Sequence, residues 1–274
     1  MIPAAFEYER VDSVDGALAL LAQHGDDAKL LAGGHSLLPL MKLRFATPSV
    51  LIDVGRIKEL SYVKDAGDQV AIGALTRHHD VQHSDLLQSQ VEILAHAAGQ
   101  VGDQQVRHRG TIGGSIAHGD PASDLPAVIL ALGGTMVIRG QSGEREVPAT
   151  EFFTGFLETA LAPDELLTEI RVPKVPGAGW SFQKLTKRAQ DWAIVGAAVV
   201  RNGTTGIGLV NMDSTPVRAT AAEQALAGGA SIADAAQVAD QGASPSADIN
   251  ASEDFRRHLA RVLVRRGLEE AASK

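Results

Sequence analysis

At 274 residues the chain can hold one large domain or two or three modules with separate cores, and a composition of 45% hydrophobic and 21% charged residues is that of a globular protein. The balance of 33 acidic against 25 basic side chains, with no lysine or arginine stripe, argues against nucleic-acid binding, and no apolar run approaches the ~20 residues of a membrane span. With no cysteine, the chain has no disulfide, no thiolate nucleophile or zinc ligand, and no thiolate of its own for an iron–sulfur cluster.

Glu7 and Glu9 stand where a secretory signal needs a positive segment followed by an apolar one, so a cytoplasmic product is expected. Val14, Ala17, Leu18 and Leu21 recur at helical spacing, with Ser13 placed to cap the helix and Gly25 to end it. A strand at Lys29–Ala32 runs into Gly33-Gly34-His35-Ser36, then a helix over Leu37–Arg44, then a strand at Val50–Val54. Tyr62-Val63 and Val70–Gly73 are predicted as paired strands about a turn at Asp65–Asp68, and a single helix is predicted from Leu86 to Ala98. A second glycine loop, Gly110-Thr111-Ile112-Gly113-Gly114-Ser115, precedes an apolar helix from Asp124 to Leu132.

Thr135–Arg139 and Leu166–Val172 are further predicted strands, and the proline- and glycine-bearing stretch Pro173–Gly179 is a predicted linker. A domain boundary is therefore placed at 177, with a first domain over 1–177, divided near 58, and a second over 178–274. In the second, strands are expected at Ser181–Leu185, Ala193–Arg201 and Gly206–Asp213, with Asn202-Gly203 as a hairpin signal between the last two. Helices are expected at Val217–Leu226, Ser231–Asp240 and Ser252–Glu270, the last with Phe255, Leu259 and Val262 as its apolar stripe. Arg256, Arg257, Arg261, Arg265 and Arg266 on that helix are read as a solvated or subunit-facing surface.

Glycine pairs between a strand and a helix let backbone N–H groups converge on an anion, and a phosphate suits that shape. Either pair alone is better explained by a simple turn, but two in successive modules, with Ser36 in one and Thr111 and Ser115 in the other, suit a pyrophosphate held between them. Neither is a G-x-G-x-x-G or Walker loop. His35 is placed to orient the first loop, whereas His78, His79 and His83 are read as a surface helix rather than a metal site. Asp120 and Asp124 are either an acid/base pair or, for Asp124, a helix cap or a partner for a ribose hydroxyl.

Taken together, Ala32–Pro39, Ile72–Thr76, Arg109–Ala117, Asp120–Pro126, Lys187–Ala193 and the helical tail from Asp254 resemble the FAD-binding medium subunit of molybdenum hydroxylases, in family order and over almost the whole chain. The resemblance is greatest to carbon monoxide dehydrogenase medium subunits, with xanthine and N-heterocycle dehydrogenases as relatives. It implies an α+β fold in which an FAD domain of two α/β subdomains, vanillyl-alcohol-oxidase-like, precedes a C-terminal domain with a three-stranded sheet and helices.

The resemblance also implies site roles. Ala32, Gly33, Gly34, His35, Ser36 and Leu37, with Thr111, Gly113, Gly114 and Ser115, would hold the pyrophosphate. Gly73 and Ala74 would lie near the cofactor, and Asp124 would bind the adenosine side. Leu167 and Lys184 would approach from later strands, and Trp192 would lie beside the isoalloxazine ring. Ser115 stands where the family often has Asn or Asp. No catalytic acid/base pair and no metal ligand are implied in this chain. Iron–sulfur clusters and molybdopterin would belong to a small and a large partner subunit, in a dimer of heterotrimers passing electrons to quinone, NAD or another acceptor. The competing readings are a xanthine or N-heterocycle dehydrogenase subunit, a self-sufficient flavoenzyme, and a structural subunit that has lost flavin.

Overall fold

The computed structural model describes residues 2–274. The chain begins with β1 (Glu7–Arg10), α1 (Val14–His24), β2 (Ala28–Leu31), α2 (Leu37–Leu43) and β3 (Val50–Asp53). These strands form a parallel sheet in the order β1-β3-β2. β3 is central because Val50, Leu51 and Ile52 are apolar on both faces, the pattern of a covered parallel strand. Val14, Ala17, Leu18 and Leu21 of α1 pack on it, Ser13 Oγ accepts from Gly16 N, and Gly25 takes a positive φ of 54° at the helix end.

Next come β4 (Val63–Ala66), β5 (Gln69–Gly73), α3 (His78–Gln82), α4 (Asp85–Gln90), α5 (Glu92–Gly99), α6 (Gln104–Arg109), α7 (Ile112–His118) and α8 (Asp124–Leu132). They are followed by β6 (Thr135–Gly140), β7 (Gly143–Pro148), α9 (Ala149–Phe152), β8 (Phe153–Gly155), β9 (Glu158–Thr159) and β10 (Leu166–Pro173). A five-stranded antiparallel sheet runs β4-β5-β10-β6-β7, and β8 and β9 form a separate hairpin. The single helix expected over Leu86–Ala98 is two, α4 and α5, because Val91 turns out of helical geometry (φ −147°). The Gln90 carbonyl freed at that break accepts the Val175 N–H at 2.8 Å, a tertiary bond that local periodicity does not encode.

The remaining elements are β11 (Gly179–Leu185), β12 (Val195–Asn202), β13 (Thr204–Val210), β14 (Val217–Arg218), α10 (Thr220–Ala227), α11 (Ile232–Gln237) and α12 (Glu253–Ala271). The three strands expected here are joined by a short fourth, β14, taken from the start of the expected Val217–Leu226 helix. That helix begins later because the Ala219 N–H donates to the Ile207 carbonyl and prolongs the sheet ladder. β12 is apolar on both faces for a visible reason. Val195, Ala197 and Val199 meet Leu259, Leu263 and Leu268 of α12, whereas Ala198 and Val200 join the core around α8.

α8 is buried along its entire length and lies between the two larger sheets. It reaches the C-terminal sheet because Gly206 and Gly208 present no Cβ. A methyl group on either would collide with the Ala131 or Ala127 carbonyl oxygen of α8. Gly208→Ala is accordingly expected to lower stability by about 1–3 kcal/mol, read as a fall in the urea midpoint at unchanged slope.

The apolar stripe of α12 is rotated from its expected position: Phe255 is exposed, whereas Arg256 is buried at 3% relative exposure. No helix among the described residues is long and apolar enough to cross a membrane.

Candidate functional site

From the end of β2 the chain enters Ala32–Ser36 and turns at Gly34, whose φ of +79° favours glycine. The backbone N–H groups of Gly33, Gly34, His35, Ser36 and Leu37 have no acceptor among the described residues. Such a run of unpaired donors on successive residues forms an anion-binding concavity. The loop is braced from behind. His35 Nδ1 donates to the Gly33 carbonyl at 3.1 Å, and Pro39 occupies the first turn of α2, where an N–H is dispensable. Gly33 itself lies against the next glycine segment, and a Cβ there would strike the Arg109 carbonyl oxygen and Gly110 Cα.

The second glycine pair is not a loop but the first turn of α7, and its amides are already used. Ile112 N donates to Thr76 O (3.0 Å), Gly113 N to Ala74 O (2.9 Å), Gly114 N to Thr111 Oγ1 (3.1 Å) and Ser115 N to Thr111 O (3.0 Å). Gly113 serves packing, since a Cβ there would collide with Ala74. What this segment offers a ligand is the Ser115 hydroxyl and the donor proton of Thr111. The two glycine pairs therefore have different jobs, although their sequences look alike.

Both segments line one cleft of about 790 Å³, within the range of cofactor sites. Ala32, Gly33, Gly34, His35, Ser36, Leu37, Ala74, Thr111, Gly113, Gly114, Ser115, Asp124, Leu167, Lys184 and Trp192 all border it. Gly73 does not. It sits one residue too early, with its N–H on Tyr62 O at 3.0 Å and no room for a Cβ, which would strike the Leu60 carbonyl, so that it closes the strand end beneath Ala74. Trp192 is 56% exposed at the cleft rather than buried in a core.

Asp124 is the first residue of α8, with Ser123 in the capping position, so its carboxylate does not cap the helix. Oδ2 accepts from Lys184 Nζ at 2.7 Å, and Nζ also donates to the Gln100 carbonyl at 3.2 Å. Oδ1 is buried without a partner among the described residues. Burial outweighs the lysine and pushes the Asp124 pKa up to about 6. Asp120 is no partner for it, because its Oδ1 accepts from Ala122 N at 2.8 Å and closes a local turn.

Two parts of the cleft carry no sequence signal. The tip of the β8–β9 hairpin contributes Leu157, a non-glycine residue with φ 59°, and Thr159. Spacing groups His78 with a surface helix, yet it is 4% exposed, borders the cleft, and leaves Nδ1 without a partner among the described residues. Its ring packs on Gly110, while His79 stacks between His83 and His108 at centroid distances of 4.3 and 4.1 Å. Burial, reinforced by Arg107 and Arg77, pulls the His78 pKa down to about 4.

His78 and Asp124 bias acid stability in opposite senses. Folding lowers the His78 pKa, so the unfolded chain binds the extra proton between about 6.5 and 4, and stability falls as pH drops through that window. Folding raises the Asp124 pKa, so the folded chain holds the extra proton between 3.8 and about 6, and stability rises as pH drops there. Going from pH 7 to pH 5, His78→Gln should lessen the loss of stability of the FAD-free chain and Asp124→Asn should deepen it. Each effect is about 1–2 kcal/mol, readable by urea unfolding at the two pH values.

Residues 4–175 match the family described as FAD binding domain in molybdopterin dehydrogenase, and residues 180–271 match the CO dehydrogenase flavoprotein C-terminal domain. The carbon monoxide dehydrogenase medium chain of Hydrogenophaga pseudoflava is 44% identical, over 99% of this chain and 98% of its own length. The corresponding chain of Afipia carboxidovorans is 39% identical over 100% and 99%. A solved carbon monoxide dehydrogenase from Hydrogenophaga pseudoflava, lacking the Mo-pyranopterin moiety of its cofactor, superposes with a TM-score of 0.96 at 46% identity, covering 100% of this chain and 99% of the other. With the cleft, the fold and both matches in agreement, the chain belongs to the FAD-binding subunits of the molybdenum hydroxylases, a family of oxidoreductases.

Proposed function

We propose that this chain is the electron-transfer subunit of an aerobic carbon monoxide dehydrogenase, receiving electrons from a partner and passing them to an external acceptor. The observation that carries the reading is the open run of N–H groups from Gly33 to Leu37 in the same cleft as an unpartnered buried carboxylate oxygen, Asp124 Oδ1. An FAD molecule has groups for both: pyrophosphate oxygens for the amides and sugar hydroxyls for the carboxylate. In this reading Ala32–Leu37 hold the pyrophosphate, aided by the Thr111 and Ser115 hydroxyls. Asp124 and Lys184 hold the adenosine side, and Ala74 and Leu167 supply apolar walls. Trp192 shields one side of the isoalloxazine ring. A bound flavin exchanges electrons singly or in pairs, which suits it to join one-electron centres to a two-electron acceptor.

This chain has no cysteine, so the iron–sulfur clusters belong to a small partner subunit and the molybdopterin to a large one, in a dimer of heterotrimers in the cytoplasm. The two domains divide near residue 177. Carbon monoxide is the favoured substrate because both medium chains compared above, from Hydrogenophaga pseudoflava and Afipia carboxidovorans, belong to carbon monoxide dehydrogenases. The test is the visible spectrum of the purified chain, with identification of the chromophore released on denaturation. Stoichiometric FAD is expected, and a colourless chain that cannot be reconstituted with FAD would refute the cleft assignment. Carbon-monoxide-dependent dye reduction by the assembled complex, compared with xanthine and N-heterocycles, decides the substrate.

A further inference from the structure

Trp192 borders the cleft from a stretch of chain that packing holds only weakly. Its indole is 56% exposed, Lys187–Gln190 before it are exposed as well, and the hydrogen bonds of Arg188 and Asp191 stay within the stretch. A space of about 250 Å³, bordered by Trp192, Ala193, Asn211 and Pro121, adjoins it and leaves it room to shift. The position of Trp192 therefore depends on the two residues that follow. Ala193 is 2% exposed, Ile194 N donates to Leu185 O at 2.8 Å, and Ile194 O accepts from Arg256 Nη1. The carbonyl of Ala193, next to the tryptophan itself, accepts from Asn211 Nδ2 at 2.8 Å.

Asn211 is itself fixed. It follows β13 with φ 61°, in the left-handed region that asparagine enters more readily than other non-glycine residues. Its N–H donates to Pro121 O at 2.8 Å, and Pro121 lies in the turn closed by Asp120, three residues before Asp124. One residue thus ties the carbonyl beside Trp192 to the turn that leads into Asp124, and both of those side chains border the large cleft. Water from the adjoining space could satisfy the Ala193 carbonyl in its place, but water would not join the two segments.

We propose that Asn211 is a positioning residue for the flavin, holding Trp192 beside the isoalloxazine ring through the Ala193 carbonyl. The inference deepens the proposed function and rests on it for where the ring lies. An indole already held in place packs on a ring without the entropy cost of being ordered at each binding event. Freed from Asn211, it is ordered only when FAD binds, and affinity falls by that cost.

The test compares Asn211→Gly and Asn211→Asp with wild type in the full chain. Glycine accepts the left-handed backbone and keeps the N–H to Pro121, so only the side-chain bond is lost, whereas aspartate keeps the shape but has no donor. Each is expected to weaken FAD binding about ten-fold by fluorescence titration, with little change in the urea midpoint of the FAD-free chain. In a Trp192→Ala background, Asn211→Gly is expected to have no further effect, because the indole through which it acts is gone. Wild-type FAD affinity in Asn211→Gly would overturn the proposal. So would an equal loss with and without Trp192, the result of a merely structural role. Should Asn211→Gly fail to fold, Asn211→Asp decides by the same pair of measurements. A wild-type chain that binds no FAD would refute the proposed function instead. Acrylamide quenching of tryptophan fluorescence in the FAD-free chains then decides whether Asn211 holds the indole, since Trp180 is 8% exposed and Trp192 dominates the signal. Quenching must rise in Asn211→Gly, and no change would overturn the inference.

Discussion

Gly33→Val is expected to yield a folded chain that has lost its FAD. The valine Cβ would occupy the position of the Arg109 carbonyl oxygen and Gly110 Cα, which are backbone atoms and cannot rotate away. The Arg109 carbonyl is also held by the Arg77 guanidinium, so the half-buried loop of Gly33, whose amides bond to nothing among the described residues, yields first. Moving it takes the donors of Gly33–Leu37 away from the cleft. Losing two charge-assisted hydrogen bonds, at about 1.5–3 kcal/mol each, corresponds to roughly a hundred-fold or greater loss of affinity. The measurement is FAD affinity by fluorescence titration of the apo chain. Gly113→Val provides the contrast. It pushes α7 off Ala74 inside the core, so it should lower the melting temperature of the apo chain more than Gly33→Val does. Full FAD affinity in Gly33→Val would show that the open amides are not the pyrophosphate site.

Lys184→Met is expected to cost about 3–5 kcal/mol of stability above neutral pH, because it strands a buried carboxylate without its counter-charge. In the wild-type chain the Asp124–Lys184 pair is nearly inaccessible, with side-chain exposures of 6% and 7%. Removing the lysine removes the only influence that lowers the Asp124 pKa, which then moves further above about 6. Protonation relieves the stranded charge, so the deficit should shrink as pH falls and be largest under alkaline conditions. The double variant Asp124→Leu/Lys184→Met should recover most of the lost stability without recovering FAD. Denaturant unfolding at pH 8 and pH 5, on the wild-type chain and both variants without FAD, separates these outcomes. A deficit independent of pH would mean that the lysine acts through packing and not through charge.

Much of the local structure was legible from residue spacing. Periodicity located α1, β3 and β10, and Asn202-Gly203 correctly marked the β12–β13 hairpin. The misplacements share one cause. The break at Val91, the start of α10 after Val217-Arg218 and the rotation of α12 each depend on a partner distant in sequence. These partners are Val175 for the Gln90 carbonyl, Ile207 for Ala219, and Ile194 with Asp248 for Arg256. A hydrophobicity pattern reports which residues avoid water, not which carbonyl completes a hydrogen bond elsewhere.

The site divides in the same way. Residue types in order along the chain were enough to indicate the family, the flavin and the glycine segments that border the cleft. The lack of cysteine likewise placed any iron–sulfur chemistry in another chain. Only the tertiary structure decided which glycine pair keeps its amides free, because that depends on whether the carbonyls of Ala74 and Thr76 are within reach. It alone placed Gly73 behind the cleft, His78 and the hairpin tip at its wall, and Arg256 inside. The physical reason is that a side chain's chemistry is local, whereas burial and hydrogen-bond satisfaction are properties of what the rest of the chain brings to it.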